Sequence, residues 1–219
     1  METKKNEIFQ DSQKSKISEI FKQETHLSCG IACLRSIFSH YGKKLSEAQI
    51  MEKHEFYKLP DGNARNPIIS LGVTALKNGF KAKYIGYNPV VFNKVEGNLV
   101  HSLKEKSSKY KDYWKFCVDK TLELLNLKGE VLISRLNIPK LEKLIDDNGF
   151  VLAGIKPSFL DYNAHISSLS HKVIVDSYDK DKSTFHILDP ADGKGKSYHA
   201  ENFYVALCNE MPEVLTIKK

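Results

Sequence analysis

A cysteine at the start of a predicted helix is the side chain in this sequence best placed for nucleophilic chemistry. Cys29 follows Ser28, and apolar residues recur every three or four positions from there to Tyr41, which predicts a helix over 28–41 that ends at Gly42. The N-terminus of a helix carries unsatisfied N–H groups and a partial positive charge, and both favour a thiolate, the reactive form of cysteine. We therefore predict Cys29 as a nucleophile; a buried structural cysteine is the alternative.

Cys33 lies on the same face of this helix as Cys29, one turn further from the helix N-terminus. Because the field of the helix end fades within the first turn, we expect Cys33 to pack in the core. The spacing of the two thiols resembles half of a metal site, but no second Cys/His pair of suitable spacing follows closely. We expect no metal and no organic cofactor.

A thiol nucleophile needs a base within hydrogen-bond reach and a group that orients the base. Of the eight histidines, His171 opens a strongly apolar segment that is predicted as a strand over 171–177, where a side chain can project towards a helix N-terminus. We predict His171 as the base, with His165 in the preceding loop as the runner-up. His186 lies within a predicted strand, where a core or surface role is expected. The other histidines lie in loop or helical contexts without a visible partner: His26, His40, His54, His101 and His199.

Two further residues complete the predicted site. Asp189 ends the next predicted strand, which should pair with the strand of the base through a short hairpin, so its carboxylate can accept the second imidazole N–H and fix the tautomer. The alternatives are an ordinary Asp-Pro turn, and Asp192 as the orienting group. Gln23 precedes Cys29 by six residues, and its amide can meet the Cys29 backbone N–H around a developing oxyanion.

These residues require helices in the first half of the chain and antiparallel strands in the second, which is an α+β order. Periodicity, caps and turns predict helices over 16–21, 28–41, 67–78 and 138–147, a capping box at 46–49, and strands over 81–87, 150–155, 171–177 and 184–188, with Tyr198 and Phe203–Leu207 completing the sheet. The charged stretch 89–129 has helical periodicity over 109–127. We interpret it as a helical insertion into one domain that spans 1–219.

Composition indicates a globular protein, since 219 residues, 41% of them hydrophobic and 27% charged, suit one domain with a real core. The net charge of +6 is interpreted as a lysine-rich solvated surface; an acidic partner, a membrane or nucleic acid are alternatives, and no dense basic block supports nucleic acid. The N-terminal residues lack the apolar centre of a signal peptide, and no run approaches the roughly 18 apolar residues of a membrane span. We therefore expect a cytoplasmic location with reduced thiols, or secretion without a cleaved signal.

Five motifs surround the candidate residues: SCGIACL at 28–34, HYG at 40–42, ISLGVTALKNGF at 69–80, SHKVIVD at 170–176 and ILDPADG at 187–193. Together they resemble the motifs of the bacterial bacteriocin-processing, double-glycine leader peptidases. The resemblance covers roughly 20–88 and 130–208, and it implies a papain-like fold in which the nucleophile helix packs on a C-terminal antiparallel sheet. Gln23, Cys29, His171 and Asp189 fall on the matching functional positions. The sequence departs from the family at Ser170, where glycine is usual, and in the 89–129 segment; no transporter segment accompanies the motifs, so we expect a free-standing protein.

Three functions follow as hypotheses. The first is a cysteine peptidase that cleaves a peptide or protein substrate through an acyl-enzyme on Cys29. The second keeps the thiol but performs acyl transfer, deamidation or isopeptide cleavage, because all of these pass through a thioester. The third is a non-catalytic peptide-binding module. We further predict that the 89–129 segment lies beside the cleft and recognises a partner or substrate through Tyr113, Trp114 and Phe116; core packing of an extra helix is the alternative.

Overall fold

The protein has an α+β fold, in which one large sheet lies between two layers of helices. The computed structural model describes residues 16–17, 19–95, 97–147, 149–160 and 170–219. Its helices are α1 (Cys29–His40), α2 (Glu47–Met51), α3 (Ile68–Lys77), α4 (Pro89–Phe92), α5 (Leu99–Lys109), α6 (Asp112–Asn126), α7 (Ile138–Asp146) and α8 (Ala200–Cys208). Its strands are β1 (Tyr57–Lys58), β2 (Ala64–Arg65), β3 (Lys81–Gly86), β4 (Glu130–Ile133), β5 (Phe150–Ile155), β6 (His171–Asp179), β7 (Thr184–Asp189), β8 (Lys194–His199) and β9 (Glu213–Lys218).

The large sheet has seven strands in the order β4-β3-β9-β5-β6-β7-β8, while β1 and β2 form a separate two-stranded hairpin. All neighbours in the large sheet are antiparallel except β3 and β4. Strands β6, β7 and β8 follow one another through tight turns, and the register of β6 and β7 pairs Ile174 with Leu188. The start of β6 and the end of β7 therefore lie at the same end of the sheet.

Helices cover both faces of this sheet, so its central strand is buried on both sides. Helices α1 and α3 pack on one face, where Ile31, Leu34 and Leu71 are fully buried. Helices α7 and α8 pack on the opposite face. Every residue of β5 is buried, which explains why its sequence, FVLAGI, is continuously apolar rather than alternating.

Most of the predicted elements are confirmed to within a residue or two. Helix α1 is terminated just before Gly42, as predicted, and the φ of +82° at Gly42 is a conformation that favours glycine. The capping box at α2 is present, since the Ser46 side chain accepts the Gln49 N–H and the Gln49 side chain accepts the Ser46 N–H. Strand β5 has the predicted bounds.

The assignment of Phe203–Leu207 as a strand is wrong, because these residues lie within α8. Phe203, Ala206 and Leu207 are fully buried while Val205 is 45% exposed, so burial recurs at three and four residues, the helical period. A short apolar run does not reveal that period by composition alone. Tyr198 does lie in the sheet, in β8, and the remaining strands are β9 and the short edge strand β4, neither of which was predicted from the sequence.

The segment 16–21 is not helical in its described residues, contrary to expectation. The backbone N–H of Lys16 instead donates to Asp176 at 3.1 Å, and that of Phe21 donates to the Ser36 hydroxyl at 3.0 Å. The N-terminal segment is therefore tied to strand β6 and helix α1 rather than to itself.

The 89–129 segment is helical, as predicted, and consists of α4, α5 and α6. Tyr113 and Trp114 pack against the main core, and Tyr113 and Phe116 both contact Tyr57 of the β1–β2 hairpin, with ring centroids 5.3 and 5.6 Å apart. These contacts favour the core-packing alternative for the aromatic cluster. That the segment is an insertion into a single domain stays a prediction. No helix in the described ranges is long and apolar enough to cross a membrane.

Candidate active site

The candidate nucleophile, Cys29, is the first residue of α1 and is 7% exposed. Ser28 precedes it at the N-cap position, but its side chain does not cap the helix. The Ser28 hydroxyl instead donates to the Thr25 carbonyl at 3.1 Å and accepts the Thr25 N–H at 3.0 Å, which closes a tight turn before the helix. The N–H groups of the first helical turn are therefore left available beside the thiol, as a reactive cysteine requires.

His171 begins strand β6, and α1 packs directly against this strand. Its Nε2 atom lies 2.7 Å from Asp189 Oδ1, and the imidazole is also close enough to the Cys29 thiol to raise its own pKa. The histidine thus stands between the thiol and the carboxylate, with one partner on each side of the ring. This is the geometry of a base that is held in one orientation by a third group.

Asp189 ends β7, and its two oxygens have three partners. Oδ1 accepts from His171 Nε2 and from the Ala191 N–H at 2.9 Å, while Oδ2 accepts from Lys196 Nζ at 2.7 Å. The bond to Ala191 closes a turn of the kind that aspartate favours before proline. Asp189 therefore serves as a turn residue and as the partner of the imidazole, and the two readings of the Asp-Pro pair are compatible. Asp192, the alternative partner, pairs with Lys196 at 3.0 Å.

The electrostatics of the three groups are linked. Burial alone would raise the pKa of Asp189, but the hydrogen bonds from His171 and Lys196 and the Ala191 N–H outweigh it and lower that pKa. Burial disfavours the imidazolium of His171, yet the bond to Asp189 and the contact with Cys29 raise its pKa to about 9. Burial likewise disfavours the Cys29 thiolate, but the nearby His171 and Lys172 lower the pKa of the thiol. The shifts of the thiol and the imidazole therefore both run in the direction that favours a thiolate–imidazolium pair.

Gln23 lies close to this centre. Its backbone N–H donates to the Pro190 carbonyl at 2.8 Å, so the residue is held against the turn that follows Asp189. Its side-chain Nε2 donates to the Thr25 carbonyl at 2.8 Å, which fixes the amide above the turn that leads to Cys29. The second N–H of this amide is not used by that bond.

Two lysines that were not predicted from the sequence lie beside the three groups. Lys196 bridges Asp189 and Asp192 from strand β8. Lys172 follows His171, and its charge and backbone both favour the Cys29 thiolate. Neither could be identified among more than thirty basic residues by type alone. The register signal was present for Lys196, because a hairpin that returns after Asp189 places a residue of β8 beside the carboxylate.

The remaining candidates lie elsewhere or have other partners. Cys33 is buried, its thiol faces the Lys172 carbonyl at 3.5 Å, and burial raises its pKa well above the ordinary value. His186 contacts the Ser197 hydroxyl at 3.2 Å, and His54 contacts the Thr74 hydroxyl at 2.8 Å. The other histidines of the described ranges, His26, His40, His101 and His199, are exposed. His165 lies outside the described residues, and within the described ranges no three His, Cys, Asp or Glu side chains are grouped so as to hold a metal ion.

Comparison with known proteins decides the family. A model of the Peptidase_C39 like family matches residues 18–209. The chain belongs to this family. The resemblance inferred from the motifs is thereby confirmed, and the chain is a member of a family of cysteine peptidases of the C39 type. A comparison with curated proteins finds no match.

Three solved structures are similar to this chain. A crystal structure from Bacillus anthracis assigned to the C39-like peptidases superposes with a TM-score of 0.55 and 13% identity, over 94% of this chain and 98% of that one. The peptidase domain of Streptococcus ComA, a bifunctional ABC transporter of a quorum-sensing pathway, gives 0.49 and 15%, over 91% and 97%. A double-glycine motif protease of an AMS/PCAT transporter with its leader peptide gives 0.48 and 15%, over 94% and 95%. The papain-like α+β fold expected from the sequence is confirmed by the first of these.

Proposed function

We propose that this protein is a cysteine peptidase that cleaves a peptide bond through an acyl-enzyme on Cys29. The observation that carries the proposal is the arrangement of Cys29, His171 and Asp189. His171 bonds to Asp189, the pKa of the Cys29 thiol is lowered and the pKa of the His171 imidazole is raised. A thiolate paired with an imidazolium holds both the nucleophile and the proton that the leaving group needs. Membership of a peptidase family supports the same reaction.

In the proposed first half-reaction, the Cys29 thiolate attacks the scissile carbonyl carbon and the carbonyl oxygen becomes an oxyanion. The imidazolium of His171 then gives its proton to the leaving amine as the C–N bond breaks, which leaves a thioester. In the second half, neutral His171 takes a proton from water, the resulting hydroxide adds to the thioester carbonyl, and the C–S bond breaks to return the thiolate. Asp189 keeps Nε2 of the ring occupied throughout, so that the other nitrogen faces the thiol.

We assign the oxyanion to two donors, the backbone N–H of Cys29 and the side-chain amide of Gln23. The assignment is supported by the backbone bond of Gln23 to Pro190 and by its side-chain bond to Thr25, which together hold the amide near the helix N-terminus. Removing one such donor lowers kcat by roughly 10²–10³ in other proteases. The substrate is proposed to be a peptide or protein chain, and four free thiols support a reducing, cytoplasmic setting.

Replacing Cys29 with alanine tests the proposal. Wild-type protein should cleave members of a peptide library and Cys29→Ala should cleave none, with both proteins showing the same thermal unfolding. The matched control is Cys208→Ser, which removes an exposed thiol and should leave cleavage unchanged. Cleavage by Cys29→Ala at the wild-type rate would overturn the assignment.

Reactivity of the thiol separates a peptidase from a binding module. In the proposed enzyme, alkylation of Cys29 by iodoacetamide should have its midpoint below pH 9.0, the ordinary thiol value, because the imidazolium favours the thiolate. A midpoint at or above that value would contradict the ion pair. Mass spectrometry of the acyl group trapped on Cys29 then distinguishes hydrolysis of a peptide bond from acyl transfer, deamidation or isopeptide cleavage.

A further inference from the structure

A wholly buried carboxyl group lies beneath the segment that leads to the nucleophile. Glu47 begins α2, and its exposed fraction is 0%. Its Oε1 accepts the backbone N–H of Glu24 at 3.2 Å, and the carboxyl group also faces the side chain of Ser28. Burial raises the pKa of this carboxyl. None of the steps proposed above uses Glu47.

The segment that Glu47 contacts runs over 23–28 and carries the proposed oxyanion donor at one end and the N-cap of α1 at the other. Its other anchors are the bond of Gln23 to Pro190 and the turn closed by Thr25 and Ser28. On the outer side, the Glu24 carboxylate pairs with Arg35 at 3.0 Å, but that carboxylate is 53% exposed. Glu47 therefore supplies the anchor that comes from inside the protein and from a different helix.

Stability alone does not account for a carboxyl at this position. Taking a carboxylate out of water is costly, and an apolar side chain of similar volume is commonly neutral or stabilising in its place. A leucine at 47 would fill the space but would leave the Glu24 N–H without its acceptor. What the carboxyl group provides, and an apolar group cannot, is a fixed distance between α2 and the 23–28 segment.

We propose that Glu47 is a positioning residue, which holds the 23–28 segment so that the Gln23 amide and the Cys29 N–H converge on one oxyanion. Glu47 contacts no reacting atom and acts through the Glu24 N–H. The inference rests on the proposed function, because it presupposes that Cys29 is acylated. The inference assigns to Glu47 of α2 an indirect effect on how well the oxyanion is stabilised.

Two probes of the same thiol isolate this effect. Iodoacetamide alkylates the thiolate by displacement of iodide at a saturated carbon, so no oxyanion forms. p-Nitrophenyl acetate acylates it by addition to a carbonyl, through an oxyanion, with release of p-nitrophenolate as the C–O bond breaks. The ratio of the acylation to the alkylation rate constant therefore reports the oxyanion donors separately from the reactivity of the thiolate. A Cys208→Ser background removes the exposed thiol from both measurements.

The central comparison is Glu47→Leu with Glu47→Gln. Leucine removes the acceptor, so the acylation rate constant should fall by about ten-fold or more, while the alkylation rate constant stays within two-fold of wild type. The fall is smaller than the roughly 10²–10³ for complete loss of an oxyanion donor, because Gln23 is displaced rather than removed. Glutamine keeps an acceptor oxygen for the Glu24 N–H and should restore most of the acylation rate. Gln23→Ala should show the same selective loss, and the double variant Gln23→Ala/Glu47→Leu should be no slower than Gln23→Ala alone, because both act on one donor.

A second pair keeps the test decisive if Glu47→Leu does not fold. Glu24→Pro deletes the donated N–H while the buried carboxyl stays, and Glu24→Ala keeps the N–H but removes the pair with Arg35. Only the proline variant should lose acylation. Equal losses in acylation and alkylation, or acylation within two-fold of wild type in Glu47→Leu or Glu24→Pro, would overturn the inference. If wild-type Cys29 reacts with neither probe, the proposed function itself fails.

Discussion

Substitution of Lys196 tests how the charges around Asp189 determine the pKa of His171. The Lys196 ammonium group lies 2.7 Å from Asp189 Oδ2, on the opposite side of the carboxylate from His171, whose Nε2 lies 2.7 Å from Oδ1. The two cations therefore share one anion. Lys196→Met removes one cation, and Asp189 stays in place because the Ala191 N–H still holds Oδ1.

The sign and size of the effect follow from the geometry. Two contacts of 2.7 Å across a carboxylate place the ammonium and imidazolium charges about 6 Å apart. At effective dielectric constants between about 20 and 80, their repulsion is about 0.7–2.8 kcal/mol, which corresponds to about 0.5–2 pKa units. Removing Lys196 relieves this repulsion, so the pKa of His171 should rise from about 9 by that amount.

The assay is an NMR titration of the histidine rings, with the His171 signal assigned by its loss in His171→Asn. Lys104→Met is the matched control, since it removes the same charge from an exposed position on α5. Its His171 midpoint should equal that of wild type. A midpoint in Lys196→Met that is unchanged or lowered, or a control that shifts equally, would refute the shared-anion reasoning.

The titration of His171 also has a consequence for stability. Its folded pKa of about 9 lies above the unfolded value of 6.5, so protonation of His171 stabilises the folded state fully below pH 6.5, and this contribution is lost as the pH rises through 9. In Lys196→Met the loss should occur at higher pH.

Two predictions concern the supports of the site. In Gly30→Ala the new Cβ would lie 2.7 Å from the buried Leu71 Cδ1 and 3.1 Å from Asn66 Nδ2, so urea denaturation should show a loss of about 1–3 kcal/mol in the free energy of unfolding. The control, Ser39→Ala on the same helix, should change it by less than about 0.5 kcal/mol. An equal loss in both variants would contradict the close packing at Gly30. His54 is buried with its pKa lowered to about 3, against 6.5 when unfolded, so its neutral form is required and stability should fall as the pH drops below 6.5. At pH 5 this burial of a neutral imidazole should cost the wild-type protein about 2 kcal/mol of its free energy of unfolding. His54→Gln should therefore lose less stability than wild type between pH 7 and pH 5. Equal losses in the two proteins would show that another group is responsible.

The parts of the fold that could be predicted from sequence are those with a local cause. Helix α1 has a continuous apolar stripe and a glycine at its end, and α2 has both halves of its capping box. Strand β5 is uniformly apolar because both of its faces are covered. The pairing of His171 with Asp189 also followed from local information, since one hairpin joins their strands and fixes the register.

The parts that could not be predicted depend on distant contacts. Strand β9 is short and ends in charged residues, and only its position between β3 and β5 explains the burial of Leu215. The apolar run in α8 packs on the face of the sheet that α7 also covers, and no local pattern shows that it does so as a helix. Glu47 is a functional candidate because of what lies opposite it in space, and a single sequence does not contain that information.

The packing of α1 on β6 also determines when the thiol can meet its base. Cys29 begins α1 and His171 begins β6, so the two side chains come from parts of the chain that are made at very different times during synthesis. Cys29 leaves the ribosome first, as an ordinary thiol without a base. The imidazole can reach it only after α1 has packed on β6, and contacts this distant along the chain form slowly. In the proposed enzyme, a growing chain therefore carries an unactivated thiol until these two elements have come together.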